Sequence, residues 1–228
     1  MSALAEGIAL YKKGRYTDAL TELLQITSTS SETNIDLAYY IGLCYARLDR
    51  FDDALIYLEQ IVTGNADIAR VYQCRLILSY IYTKTDRTRL AEFELSKLIQ
   101  AGYESVQVYA SLGFLAYEHG ETDKAVQYYQ KALDMQEENA TALNGLGYIL
   151  ADSGRELTRS LSLCKEAVEQ KPDNGAYLDS LAWVYHKLGF SLEARTYIKR
   201  AAEKLPNNKL VQKHKTIIMT EHKEDWQK

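Results

Sequence analysis

Apolar residues recur along most of the chain at intervals of three and four, which places them on one face of an α-helix. These runs are broken at regular distances by a glycine or an aspartate. Leu178, Leu181, Ala182 and Tyr185 make one stripe, Ala194, Ile198 and Ala201 make the next, and Gly189 stands between them. The stretch from Leu178 to Pro206 therefore predicts a helix, a tight turn and a second helix. Two of its positions, Ala182 and Ala194, are small where a packed helix ordinarily carries bulk.

That stretch matches the rest of the chain five more times. Ala182 corresponds to Gly7, Gly42, Ser79, Gly113 and Gly147. Ala194 corresponds to Ala19, Ala54, Ala91, Ala125 and Ser160, with successive spacings of 35, 37, 34, 35 and 34 residues. So constant a period predicts stacked helix pairs, each burying its apolar face against its neighbours. The units are expected at about 1–33, 35–68, 72–105, 106–139, 140–174 and 175–208. The turn inside each unit falls at Gly14, Asp49, Asp86, Gly120, Gly154 and Gly189, residue types suited to ending a helix in left-handed geometry. Pro172 and Pro206 close the last two units. One extra residue between Gly154 and Ser160 predicts a longer turn there. The unit around Ser79 lacks glycine at both expected places. Small residues at facing positions let two helix backbones approach while larger neighbours interlock around them.

After Pro206, Asn208 can cap a further helix, with Leu210, Val211, Ile217 and Ile218 as its apolar face. Residues 209–228 are expected to form a capping helix and a charged tail, because the last unit would otherwise expose a face built for a neighbour.

These positions resemble the tetratricopeptide repeat. Its pattern is met by Leu178, Leu181, Ala182, Tyr185, Ala194, Ile198 and Pro206, and in part by Ile41, Gly42, Tyr45, Phe51, Ala54 and Leu58. The resemblance spans about residues 1 to 208. It implies an all-α, right-handed α-solenoid of antiparallel helix pairs, about six units plus the C-terminal capping helix, acting through protein–protein contacts.

Composition narrows the function. Only two prolines among abundant Ala, Leu, Glu, Lys and Gln favour helix throughout. A net charge of −4 with no basic patch argues against nucleic acid. Cys44, Cys74 and Cys164 are widely spaced within apolar helical patterns and read as reduced core residues, which favours a reducing compartment. With no basic leader and no apolar run of membrane-spanning length, the expected location is cytoplasmic.

No catalytic, metal or cofactor constellation emerges. His119, His186, His214 and His222 are far apart and outside any ligand spacing. Gly145 and Gly147 imitate part of a dinucleotide fingerprint, but no strand precedes them and the repeat register accounts for Gly147. The chain is therefore not expected to be an enzyme.

In the family resembled, the residue after the small Gly or Ala of each first helix points into a concave groove. Here that position holds Ile8, Leu43, Tyr80, Phe114, Tyr148 and Trp183. Either these side chains pack onto the next unit's helix, or they line a groove for an apolar or amphipathic segment of another protein, with rings as low-entropy anchors. The position is not one that holds a unit together, which favours the groove. Tyr39, Asn144 and Asp179, one turn before the ladder, and Tyr117 and His186, just after it, complete the candidate partner-binding set. Lys12, Arg47, Lys84, Glu118, Asp152 and Lys187 form a charged rim, basic early and acidic from Glu118 to Asp152. Leu43, Tyr80 and Phe114 stand where the family's carboxylate clamps use asparagine, so a clamp is not expected. The expected partner is a protein or peptide, with self-association or the shielding of a client segment as the alternatives.

Overall fold

The computed structural model describes residues 2–27, 30–64 and 67–220, apart from the side chains of Ser31 and Glu32; the proposed tail at 221–228 and His222 lie outside the described residues. Among the described residues there are thirteen helices and no strand. They pair in sequence: α1 (Ala3–Lys12) with α2 (Tyr16–Leu24), α3 (Ser31–Arg47) with α4 (Phe51–Thr63), and α5 (Ile68–Lys84) with α6 (Thr88–Gln100). Then α7 (Val106–Glu118) pairs with α8 (Thr122–Met135), α9 (Ala140–Asp152) with α10 (Leu157–Gln170), and α11 (Gly175–Lys187) with α12 (Ser191–Lys204). A last helix, α13 (Lys209–Thr220), packs on α12 and α11. This is an all-α helical repeat solenoid. It divides into two compact units, Met1–Tyr103 and Glu104–Lys228, described separately below.

The same local chemistry sets each pair. The first helix opens on a polar side chain that accepts a backbone N–H of the first turn: Ser2, Ser30, Asp67, Ser105, Asn139 and Asn174 in order. Asn208 does the same for α13, accepting from the N–H groups of Leu210 and Val211. The first helix closes on a left-handed residue, and all six positions named from the sequence have positive φ. The N–H after each one reaches back five residues, as Arg15 does to Leu10 and Arg155 to Leu150, satisfying a carbonyl that would otherwise be orphaned. In the turn with the inserted residue Glu156 is also left-handed, and α10 starts three residues after Gly154 rather than two.

The small positions hold the helices of each pair together. Ala19, Ala54, Ala91, Ala125, Ser160 and Ala194 are wholly buried. A Cβ at Gly42 would lie 2.8 Å from Leu58 Cδ2, closer than carbon atoms approach, so α3 and α4 meet at this separation only with glycine there. Where serine replaces a small apolar residue it is satisfied internally. Ser160 donates to the Gly147 carbonyl at 2.6 Å, and Ser79 to the Leu76 carbonyl at 2.7 Å.

In the first unit the core runs through Leu23, Leu58, Leu78, Ile81, Leu95 and Leu98, with Cys44 and Cys74 buried in it. It also holds an ion pair, Arg75 Nη1 to Glu94 Oε2 at 2.5 Å, with Glu94 buried. The core of the second unit runs through Leu115, Leu146, Ile149, Leu150, Leu178 and Ile198, around the buried Cys164.

Candidate functional site

Each candidate residue lies on a first helix of its pair, but the faces differ in how open they are. In the first unit Leu43 is buried and contributes packing rather than surface. Tyr39 is half-buried; its hydroxyl bonds Gln73, Arg70 lies over its ring, and burial pushes its pKa up to about 12. Tyr80 is half exposed, against the edge of Phe51 and beneath the Lys84 ammonium at 5.6 Å. Lys12, Arg47 and Lys84 are on the surface.

The second unit brings most of the candidates together. Tyr117 donates to Asp152 Oδ2 at 2.6 Å, and Trp183 Nε1 donates to Asp152 Oδ1 at 3.0 Å, so a single carboxylate ties α7, α9 and α11. Burial first, then the bond to Asp152, raises the Tyr117 pKa well above that of an ordinary phenol. Burial and the same carboxylate's charge push Tyr148 up to about 12. The Tyr117 and Tyr148 rings meet edge to face, centroids 5.8 Å apart. His186 lies against the Trp183 ring and the Lys187 ammonium sits 5.0 Å from it. Glu118 and Lys187 are exposed, whereas Asp152 is partly enclosed by its two donors.

Trp183 and Asp179 differ from the expectation of an open groove. They are 7% and 3% exposed, because α13 covers them. His214 of α13 stacks on Trp183, with centroids 4.2 Å apart and planes 14° apart, and its Nδ1 donates to Asp179 Oδ2 at 2.9 Å. The buried face of α13 is Val211, His214 and Ile218; of the other two residues expected to share it, Ile217 is half-buried and Leu210 is 44% exposed. Reading the histidines as scattered missed His214. The available signal was its place three residues after Val211 and four before Ile218, on the helix's own buried stripe.

Beside this cluster a pocket of about 280 Å³ opens between α7, α9, α11 and the start of α13, bounded by Phe114, Tyr117, Asn144, Tyr148, Asp179 and Val211. Tyr129 of α8 also reaches it, lodged between two glycines. A Cβ at Gly113 would fall 2.7 Å from the ring and one at Gly145 only 2.2 Å. Gly145 thus serves ring packing and not a nucleotide. Phe114 stands at the pocket, 43% exposed. Asn144 and Asp179, both lining residues, each carry one oxygen, Oδ1, that is buried out of reach of water and has no hydrogen-bond partner among the described residues.

The tetratricopeptide repeat profile matches residues 4–67 and 111–175. The "TPR repeat-containing protein PA4667" of Pseudomonas aeruginosa is 24% identical over 161 residues, covering 71% of this chain and 27% of that protein. The human "Protein O-mannosyl-transferase TMTC1" is 22% identical over 178 residues, covering 76% of this chain and 20% of that protein. The chain thus spans about a quarter or less of either relative. Among solved structures, a chain of the APC/C hetero-tetramer Cut9–Hcn1 superposes with a TM-score of 0.76 at 15% identity, over 95% of this chain and 42% of that one. At that identity the likeness is one of fold. No helix of the described residues is long and apolar enough to cross a membrane.

Proposed function

Starting from a chain that belongs to the tetratricopeptide repeat family, we propose that it is a non-catalytic scaffold, holding a peptide or short helix of a partner protein on the first-helix face of its second unit. The observation that carries this reading is the pocket itself. An exposed phenylalanine and two tyrosines surround a space on the face that the repeat packing leaves free. Large rings held in place by neighbours supply contact area at little entropic cost. The fold is in general one of protein–protein scaffolds, and the Cut9 neighbour is found assembled with Hcn1. The transferase among the relatives shares only a fifth of its length with this chain, so its activity does not come with the match. The local carboxylates have structural work as well: Asp152 holds Tyr117 and Trp183, and Asp179 holds His214.

The test is selection of peptides from a randomised displayed library by the purified chain. Selected peptides are expected to lose about tenfold or more in affinity when Phe114→Ala and Tyr148→Ala are combined, in a variant whose helicity is unchanged. A library that yields no binder, or binders indifferent to those changes, overturns the reading. Light scattering across a concentration series separates self-association from capture of a second protein.

A further inference from the structure

Each first helix of the first unit ends on a base: Lys12 closes α1, Arg47 closes α3 and Lys84 closes α5. The helix dipole favours a cation there but does not dictate one, because α7 and α9 end on Glu118 and Asp152. All three bases are exposed, and among the described residues none is paired with a carboxylate. Other arginines of the unit are matched, Arg15 by Asp18, Arg50 by Asp53 and Arg87 by Asp52. Nor does an acid stand ready along these helices. α5 holds none, and α3 holds none after Asp36, which Arg70 takes. Asp49 and Asp86, in the turns just beyond, form no ion pair with Arg47 or Lys84 among the described residues.

Tyrosines surround the bases instead. The Tyr11 hydroxyl of α1 bonds the Arg47 guanidinium, and Tyr16 and Tyr80 lie near it, which raises its pKa above that of an ordinary arginine. The Lys84 ammonium is 5.6 Å from the centre of the Tyr80 ring, which is half exposed and meets Phe51 edge to face. Arg47 is thus flanked by side chains of both neighbouring first helices, and the three bases follow one face. Exposed charge without a counter-charge attracts an anion, and an exposed ring beside it offers apolar contact with a polar tip.

The spacing says which anion fits. Neighbouring packed helices lie about 8–10 Å apart. A polyproline II chain turns once in three residues and rises about 9 Å in doing so, which sets every third side chain on one face at the same interval. We propose that the first unit docks a segment of a partner protein in this extended form, with Asp or Glu at every third position, its carboxylates meeting Lys12, Arg47 and Lys84 and its backbone lying against Tyr80. The carboxylates belong to side chains within the segment, since Leu43 and Tyr80 fill the places where a clamp on a chain terminus uses asparagine. Three bases on a chain of net charge −4 suit a short acidic segment better than a nucleic-acid backbone. The site is independent of the pocket in the second unit, and either can fail alone.

Peptides with both termini blocked test it by calorimetric titration of the full chain at low salt. One carries three Glu-Pro-Pro repeats, a second has glutamine for each glutamate, and a third is an isomer with its glutamates contiguous. The repeat peptide is expected to bind saturably, about threefold or more tighter than the isomer and about tenfold or more tighter than the glutamine form, and to weaken as salt rises. In Lys12→Glu, Arg47→Glu, Lys84→Glu, with helicity unchanged, it should lose about tenfold, while a Lys-Pro-Pro repeat peptide gains. A second measurement needs no variant: NMR signals of the Arg47 Nε–H and the Tyr80 ring should shift saturably in the wild type. Shifts at neither group, equal binding of the isomer or the glutamine form, or a folded triple variant that binds as before would each overturn the proposal. Binding that requires a free C-terminus would assign the bases to a terminal carboxylate instead, and a thymidine octanucleotide that displaces the peptide and binds more tightly would assign them to nucleic acid.

Discussion

Trp183 lies flat on His214, ring centroids 4.2 Å apart, so the last ring of the ladder in the second unit is also the seat of the capping helix. The contact is reinforced one turn away, where His214 Nδ1 meets Asp179 Oδ2. One histidine thereby covers a large apolar ring and satisfies half of a buried carboxylate. A groove residue on the repeat becomes a core residue at the end of the array.

Replacing that histidine should therefore detach α13 rather than merely loosen it. His214→Ala removes the stack and the one partner of Asp179, so that keeping α13 in place would leave both carboxylate oxygens buried and unpaired, at a cost of about 1–3 kcal/mol or more, whereas releasing the helix lets water reach them. Hydrogen exchange should show lost protection across α13 while α7 to α10 keep theirs. In a Trp226→Phe background, the emission of Trp183 should move to longer wavelength as water reaches the ring. Unchanged protection of α13 would show that Val211 and Ile218 suffice to hold the helix.

The repeat was legible because it is written locally. The left-handed positions, from Gly14 to Gly189, each need a residue tolerant of positive φ at a fixed distance from a small residue, and both signals sit within one unit. The candidate residues Phe114, Tyr117, Asn144, Tyr148 and Asp179 converge because the register puts them on one face of successive first helices. What the periodicity could not reveal is the covering of Trp183 and Asp179. That burial comes from α13, which lies outside the register, and from a polar residue standing on an otherwise apolar stripe. Gly145 was opaque for a similar reason: its partner, Tyr129, is on a different helix, and only the packed geometry shows the ring against its Cα.

Gly145→Ala should accordingly be more harmful than its position in a helix implies. Alanine favours helix over glycine, but its methyl group would meet the Tyr129 ring at 2.2 Å, and the ring is also confined by Gly113. Overpacking of this kind costs about 1–3 kcal/mol, outweighing the gain in helix propensity. The companion Gly145→Ala, Tyr129→Leu should recover part of the loss, read as the midpoint of urea unfolding. Equal midpoints for wild type and Gly145→Ala would mean that α9 can move away from the ring.

In the first unit, Arg75 and Glu94 form a pair whose members cannot be removed singly without cost. Burial raises the Glu94 pKa, while Arg75 opposes that rise by charge and hydrogen bond. Arg75→Ala leaves a buried carboxylate uncompensated and should destabilise by about 3 kcal/mol or drive Glu94 to take up a proton. Arg75→Met with Glu94→Leu should be much closer to wild type, because neither charge then has to be desolvated. A double variant no more stable than Arg75→Ala would assign the pair a positive contribution beyond its desolvation.

The three cysteines give the chain a defined alkaline limit. Burial pushes Cys44 up to about 11 and Cys74 and Cys164 up to about 12, from a reference value of 9.0. Below about pH 9 the thiols keep their protons in both folded and unfolded chains, and they add no pH dependence. Above it the unfolded chain releases protons that the folded chain still holds, so the unfolded state is favoured progressively and stability falls as pH rises through 9 to 12. Tyr148, pushed up from 10.0 to about 12, adds to the fall from about pH 10. Urea midpoints should be level up to pH 8.5 and decline beyond it. At pH 8 a thiol-specific disulfide reagent should label Cys164 only as fast as the second unit opens, with urea accelerating all three reactions together with unfolding. Rapid labelling of the folded chain at pH 8, or midpoints constant to pH 11, would contradict the buried, protonated state of these thiols.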